Sequence, residues 1–387
     1  MELNQTLLPT DSQYVELRKH RVQMKRLSMI DGNILQNSTD ETHGLNARVF
    51  HQGCWGCAAS PFLTATNAEK IGRIAKDNAR SLMMFGEPKK LAAGSVRLEH
   101  LSERKPAWSA AEKIDFLHAI NDIAIKKYPR LQSTSLMLIE EHHEKELINS
   151  YDAHTKVEIA RSMLYLNPTM LNRSQEPIAL FDILDGRGFI ADLDLTMEKV
   201  EQRLEQLYLW LLDKTEAVPA RAGKVDCILG SGITGILAHE ALGHPCEADL
   251  VLSGSVTSNL VGERVASDLI TMVDFAHTYN DTLLPVPVLA DDEGVEAKDV
   301  VMVEKGILKG FMNNRETAEE MGVAPTGNAR GYMFEDEPLI RMRNTLILPG
   351  TSNLEDMIAD VEDGYLLLKT ANGQADTTTE FMFGIQL

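Results

Sequence analysis

The chain has 387 residues, 44% hydrophobic and 25% charged, an ordinary composition for a soluble globular protein with room for two or three cores. Lys+Arg 38 against Asp+Glu 57 leaves a net charge of -19; without a local basic patch, this disfavours nucleic-acid phosphates and anionic membranes as partners. Four cysteines are too few for a disulfide framework, and with no leader-like N-terminus and no run of about 18 apolar residues the expected location is the cytoplasm.

After a polar lead segment, residues 24–35 and 44–59 read as short strands, with Asp31-Gly32 supplying a hairpin turn. Thr66-Asn-Ala-Glu69 reads as a capping box opening a helix whose inner face is Ile71, Ile74, Ala75 and Ala79. Cys54-Trp-Gly-Cys57 has the gap of a redox or zinc half-site but no second pair, so two small hairpin residues and a packing role for Trp55 are preferred. Residues 87–106 read as a linker, and Ser109-Ala-Ala-Glu112 as a second capping box before Ile114, Leu117, Ile120, Ile123 and Ala124.

From 135 to 166 the pattern suggests a meander of short runs, 135–141, 146–151 and 156–166, with His142-His143-Glu144 in a solvated turn. Asp185-Gly-Arg-Gly188 reads as a turn. A helix returns over 196–215, with Val200, Leu204, Leu207 and Leu211 inward and Tyr208 and Trp210 packing. Pro219 to Gly223 marks a boundary. Beyond it the strands expected are 271–275, 284–289, 299–304, 307–312, 344–348 and 364–370, in a large mixed sheet or partly closed barrel, with one helix over 353–363. The fold class is therefore α+β, divided into an N-terminal α+β domain (1–105), a middle helix and β-meander region (106–221) and a β-rich C-terminal domain (222–387).

The chemistry concentrates in Gly230 to Asp249. A buried strand, 225–229, leads through glycines into a helix carrying His239, Glu240 and His244. Neutral histidines are the usual zinc ligands, and a neighbouring carboxylate can act as a general base, as in His-Glu-x-x-His metallopeptidases. Here the histidines are five apart, about 500° of ideal helix, or roughly 140° off a common direction. Gly243 and Pro245 loosen the helix end, and a single π-type turn would realign the rings. Read from spacing alone, two histidines that cap the helix or pair with carboxylates remain the alternative.

His-Glu-Ala-Leu-Gly-His-Pro-Cys-Glu-Ala-Asp resembles the signature of the TldD/PmbA family, also called modulators of DNA gyrase, and specifically of its TldD-like metal-binding members. The resemblance extends to Val288-Leu-Ala-Asp-Asp-Glu-Gly294, Gly306-Ile-Leu-Lys-Gly-Phe311, Pro325-Thr-Gly-Asn-Ala-Arg330, Arg341-Met-Arg-Asn-Thr345, Leu348-Pro-Gly350 and Gly373-Gln-Ala-Asp376. Ala47-Arg-Val-Phe50 and Trp55-Gly-Cys-Ala-Ala-Ser60 match upstream. It implies a zinc metallopeptidase acting on unfolded or extended peptides inside a homodimer or a heterodimer with a paralogue, with His239 and His244 as ligands and Glu240 as general base on a metal-bound water. Despite the gyrase label, the acidic charge gives no reason to expect contact with DNA.

The family's third ligand is a cysteine near the C-terminus, whereas no cysteine follows Cys246 and the chain stops at Leu387, where the family pattern continues. The sequence is accordingly read as a shortened form of a longer protein. Glu247, three residues after His244, can orient a histidine or replace the missing ligand; Cys246, separated from His244 by Pro245, would need a strained turn to ligate beside it. Asp291, Asp292 and Glu293 can orient the metal site, hold a peptide amine or brace a turn. Arg330 and Arg341 can bind a substrate carboxylate or an oxyanion, or form salt bridges. The competing function is a non-catalytic binding or scaffold subunit of the same kind of dimer.

Overall fold

The computed structural model of the chain describes residues 1–9, 11–83, 89–101, 105–375 and 381–387. Its first half is one sheet. The strands are β1 (Tyr14–Ile30), β2 (Asn33–His51), β3 (Cys54–Ser60), β4 (Arg97–His100), β5 (Leu131–Asn149), β6 (His154–Leu171), β7 (Pro177–Ala179) and β8 (Asp182–Arg187). Their order is β3-β2-β1-β5-β6-β4, with β7 and β8 also on β6, so strands from both 1–105 and 106–221 share it. Only β4 runs parallel to its neighbour. Asp31 and Gly32, both at positive φ (50° and 78°), close the β1–β2 hairpin, the conformation that Asp-Gly supplies at little cost.

Because strand side chains alternate, β1 presents two different faces. Val15, Leu17, Leu27 and Met29 point to the side covered by α1 (Ala65–Leu82), α2 (Ala110–Lys127) and α3 (Met197–Thr215). The α2 cap is the full Ser109–Glu112 box, and α3 starts on Thr196 and buries Val200, Leu204, Leu207 and Leu211. Glu16, Arg18 and His20 occupy the other face and are also buried.

The second half of the chain lies against this charged face. Strand β9 (Asp226–Leu229) leads into α4 (Ser231–Leu237), and α5 (Ala248–Leu252) follows. Next come β10 (Met272–Phe275), the small pair β11 (Thr278–Tyr279) and β12 (Thr282–Leu283), β13 (Val300–Glu304), β14 (Ile307–Leu308) and α6 (Arg315–Met321). Then follow β15 (Ala329–Arg330), β16 (Leu339–Ile340), β17 (Asn344–Ile347), α7 (Leu354–Ala359), β18 (Gly364–Leu367), β19 (Thr370–Ala375) and β20 (Phe381–Ile385). The sheet β14-β13-β10-β17 has four strands; the rest are pairs, β18 with β9 in parallel. Met272, Met302, Val303, Leu308 and Met312 form the core beside the metal-candidate helix.

The α+β class holds, and several sequence expectations are corrected. No closed barrel forms among the described residues; the C-terminal strands stay in one small sheet and pairs. The expected meander is two paired strands of 19 and 18 residues. His142-His143-Glu144 therefore lies inside β5, not in a turn, because cross-strand partners on β6 satisfy its charges. The lead segment belongs to β1 from Tyr14 onward. Helix α1 is capped by Thr64, two residues before the expected box, and its Ile74 is exposed. Within the expected linker, 97–100 pairs with β6, while 87–88 and 102–104 lie outside the described residues, as does Asp376. Residues 185–187 end a strand. Residues 284–289 form no strand, since Pro285 and Pro287 lack the N–H that a ladder needs. Strand β9 is mostly exposed, with β18 its one partner among the described residues.

Buried ion pairs join the two halves. Asp292 accepts from Arg18 at 2.9 Å, from Lys145 at 2.7 Å and from the Gly331 N–H at 2.8 Å. Arg48 donates to Glu16 at 2.8 Å and to Glu293 at 3.2 Å. Glu293 also receives the Arg315 N–H at 3.0 Å, and the Arg315 guanidinium reaches the carbonyls of Ala92, Gly94 and Glu293. Phe334 seats against Gly44 of β2, where an added Cβ would lie 2.3 Å from its ring.

Burial by itself would raise the Asp292 pKa, but Lys145 and Arg18 pull it well below the carboxylate range. Burial likewise opposes ionisation of Glu141, yet His143 and Arg161 hold it at about 2. Both folded values are below the unfolded ones, so the stabilisation is present above pH ~4 and is lost as pH falls towards 2. Asp292→Asn leaves Arg18 and Lys145 short of their counter-charge and should cost about 3–5 kcal/mol. Thermal melting between pH 7 and pH 2 tests both points: the variant should melt lower at pH 7, and the gap to wild type should narrow in acid.

Candidate metal centre

Gly230 takes an extended conformation at the N-cap of α4 without a side-chain cap, and Ile233 anchors the helix in the core. The helix then widens. Ala238–Gly243 is a π-helix, and the His244 N–H reaches the His239 carbonyl five residues back. This wider turn brings residues five apart onto one side, which an α-helix cannot do. Pro245, near the start of the short 3-10 turn His244–Cys246, ends the helical run. Gly243 sits where the turn meets Met342; a Cβ there would fall 2.2 Å from the Met342 sulfur and 3.0 Å from the Ala238 carbonyl.

As a result the His239 and His244 rings have centroids 4.6 Å apart at 79°. One ligand atom from each of His239, Glu240 and His244 lies within 4.8 Å of the others. His239 is exposed, while Glu240 and His244 are half-buried at a surface open to solvent. His244 Nδ1 is 3.0 Å from Glu247 Oε2. With Nδ1–H donated to that carboxylate, Nε2 carries the lone pair. The Glu247 bond raises the His244 pKa against the effect of burial, whereas burial and the His244 charge lower that of His239. Burial raises Glu247, opposed by the hydrogen bond to His244.

Two imidazoles and a carboxylate at this separation are a donor set that suits a divalent ion of borderline softness. Cys246 faces away, fully buried among Ala238, Met272 and Met302, and burial pushes its thiol up to about 12. Glu247 contacts a histidine through hydrogen bonding. A second group, His142, Glu144 and Glu158, lies across β5 and β6. There His142 Nε2 is 2.6 Å from Glu158 and Arg21 bonds Glu144 at 3.2 Å, an ion-pair ladder on the sheet.

The other sequence candidates separate in space. Asp291 accepts the N–H groups of Glu293, Val295 and Ala329, bracing a turn, and burial raises its pKa to about 7. Asp292 is held in the Arg18–Lys145 pairs. Arg330 and Arg341 both line a cleft of about 200 Å³ between the charged sheet face and the loop 285–292. That cleft, with Lys145, Arg161 and Tyr332 in its wall, was missed by sequence reasoning. The signal available was the alternation Glu16, Arg18, His20 in a strand-like run, which marks a second buried face.

The structure thus holds a helix-borne His-Glu pair with a second histidine on an α+β scaffold. The PmbA/TldA metallopeptidase C-terminal domain matches residues 222–387. A metalloprotease TldD homologue of Buchnera aphidicola from Acyrthosiphon pisum is 30% identical over 371 residues, 90% of this chain and 76% of that protein. A zinc metalloprotease TldD homologue of Saccharolobus solfataricus is 28% identical, over 96% of this chain and 81% of that protein. In fold, the crystal structure of TldE from Thermococcus kodakarensis superposes with a TM-score of 0.75 at 21% identity, covering 95% of this chain and 81% of that one. The chain belongs to the TldD/PmbA metallopeptidase family. No helix among the described residues is long and apolar enough to cross a membrane.

The fit at Gly243 is testable. Gly243→Ala should destabilise by about 1–3 kcal/mol through overpacking. Met342→Ala in the same chain removes the clashing sulfur and should recover part of that loss, read as a positive coupling in a double-mutant cycle of thermal or denaturant unfolding.

Proposed function

We propose that the chain is a zinc-dependent peptidase in which His239 and His244 hold the ion and Glu240 is the general base, acting on unfolded or extended peptides. The observation that carries this reading is the π-turn, which gathers the ligand atoms of His239, Glu240 and His244 within 4.8 Å. The names of the family relatives, metalloprotease and zinc metalloprotease, support it. When bound, zinc supplies Lewis acidity that polarises a carbonyl and acidifies water.

The side chains do the rest. Glu240 takes a proton from water as the water oxygen bonds to the peptide carbonyl carbon, then gives that proton to the leaving nitrogen as the C–N bond breaks. Glu247 accepts His244 Nδ1–H and fixes the ring with Nε2 as ligand. The stretch from 222 onward carries the chemistry in this reading, and the protein works in the cytoplasm within a dimer, with an identical or a paralogous chain.

Elemental analysis beside a cleavage assay on a disordered peptide is the test. Wild type and Glu240→Gln should each hold zinc, His239→Ala should lose it, and Glu240→Gln should cleave about 10²–10⁴-fold more slowly. Turnover in Glu240→Gln equal to wild type would sink the assigned base. Zinc retained by a wild-type chain that cleaves nothing would move the protein to the binding-subunit reading.

A further inference from the structure

Arg330 is a half-buried cation with no ion pair among the described residues. One of its Nη atoms bonds the Met342 carbonyl, and Nε is buried with no hydrogen-bond partner among the described residues. The carboxylates that act on it electrostatically, Asp274 and Asp292, are already engaged. Asp274 receives Arg343 Nε at 2.8 Å and the Arg343 N–H at 2.7 Å, and Asp292 receives Arg18 and Lys145. Arg341, exposed at the rim, donates Nε to the Arg330 carbonyl at 3.1 Å and has no ion pair among the described residues. An arginine keeps its charge when buried, so a missing counter-ion costs stability that a bound anion restores.

The surroundings define the anion. Leu147 and Val157 of the sheet and Val288 and Leu289 of the loop line the cleft together with Arg330 and Arg341. Tyr332 adds a polar edge, its hydroxyl bonded to Glu141 at 3.0 Å. The cleft lies beside the metal-candidate helix: Met342, next to Arg341, abuts Gly243. An apolar slot with bidentate donors suits a carboxylate attached to an aliphatic group, whereas phosphate would leave the apolar walls unused.

We infer that this cleft is a substrate subsite for a peptide carboxylate, bound by Arg330 and Arg341, with the neighbouring aliphatic residue on the apolar walls. The inference rests on the peptidase reading above and adds a substrate class to it. The carboxylate is either the C-terminal one or that of an Asp or Glu side chain. A chain of net charge -19 repels acidic peptides at a distance, so the local cations act as a filter at contact range.

The test is binding of three fluorescent peptides to the full-length, zinc-loaded Glu240→Gln chain, followed by anisotropy. One is an apolar pentapeptide with a free C-terminus, the second its C-terminal amide, and the third the amide with Glu as the last residue. The free acid should bind at least about tenfold more tightly than the amide, as expected for a charge-assisted hydrogen-bonded pair. Recovery of affinity in the third peptide assigns the side-chain source, and no recovery assigns the C-terminus. Arg341→Gln, a rim substitution checked by thermal melting, should abolish the preference, as should Arg330→Gln where it folds. Equal binding of all three peptides, or a preference that survives Arg341→Gln, would overturn the inference. Cleavage by wild type without carboxylate preference would reject the subsite alone; carboxylate-dependent binding without wild-type cleavage would reject the peptidase reading alone.

Discussion

The structure depends on the buried contact between Asp292 and the pair Arg18 and Lys145. One carboxylate serves a cation from each of two adjacent strands and, through the Gly331 N–H, the loop between β15 and β16. Without it the second half of the chain would cover the charged face of β1 and β5 with two cations short of a counter-charge. The Arg48–Glu16–Glu293 set repeats the arrangement one strand over. Such pairs add less to net stability than equal apolar area, because desolvation offsets their attraction. Their effect here is positional: they fix loop 285–292 and Arg330 relative to the sheet, and the cleft is the space left between.

The metal-candidate helix solves a different problem. Histidines five positions apart do not suit an α-helix, and the chain accommodates them by widening one turn rather than by changing the spacing. A π-turn gives up regular hydrogen bonding, and what holds it is packing: Ile233 and Ala238 below, Met342 against Gly243, and Pro245 at the exit. Cys246 belongs to that packing, with its sulfur in the core. Glu247 completes the local order by accepting a hydrogen bond from His244 Nδ1–H.

How much of this was legible in the sequence varied with the range of the interactions. Helix α3 could be read from Thr196 and its four leucine and valine positions, and the β1–β2 turn from Asp31-Gly32, since both signals are local. The His239, Glu240 and His244 grouping could be read from chemistry, and the need for a widened turn from arithmetic. The long strands could not be read through 140–146 because charged residues there fall on both faces, satisfied by partners on other elements such as Lys113 of α2, Lys19 of β1 and Asp292. Residues 14–23 looked like a polar lead for the same reason. The apolar run 284–289 looked like a strand, but its prolines deny it a ladder and its side chains wall a cleft.

The order of the strands has a consequence for how the protein is made. The edge of β1 that pairs with β5 waits for about 100 residues of further chain, from Ile30 to Leu131, which at ribosomal speed is about 5–20 s. Arg18 waits longer still for Asp292, 274 positions on. In that interval the nascent hairpin exposes a free edge, the feature by which unfinished sheets join to one another. Glu16, Arg18 and His20, along with Arg48 beside them, then act as a hydrated coat that discourages pairing with another nascent chain. The residues that lock the finished molecule thus first serve to keep its half-made sheet apart from its neighbours.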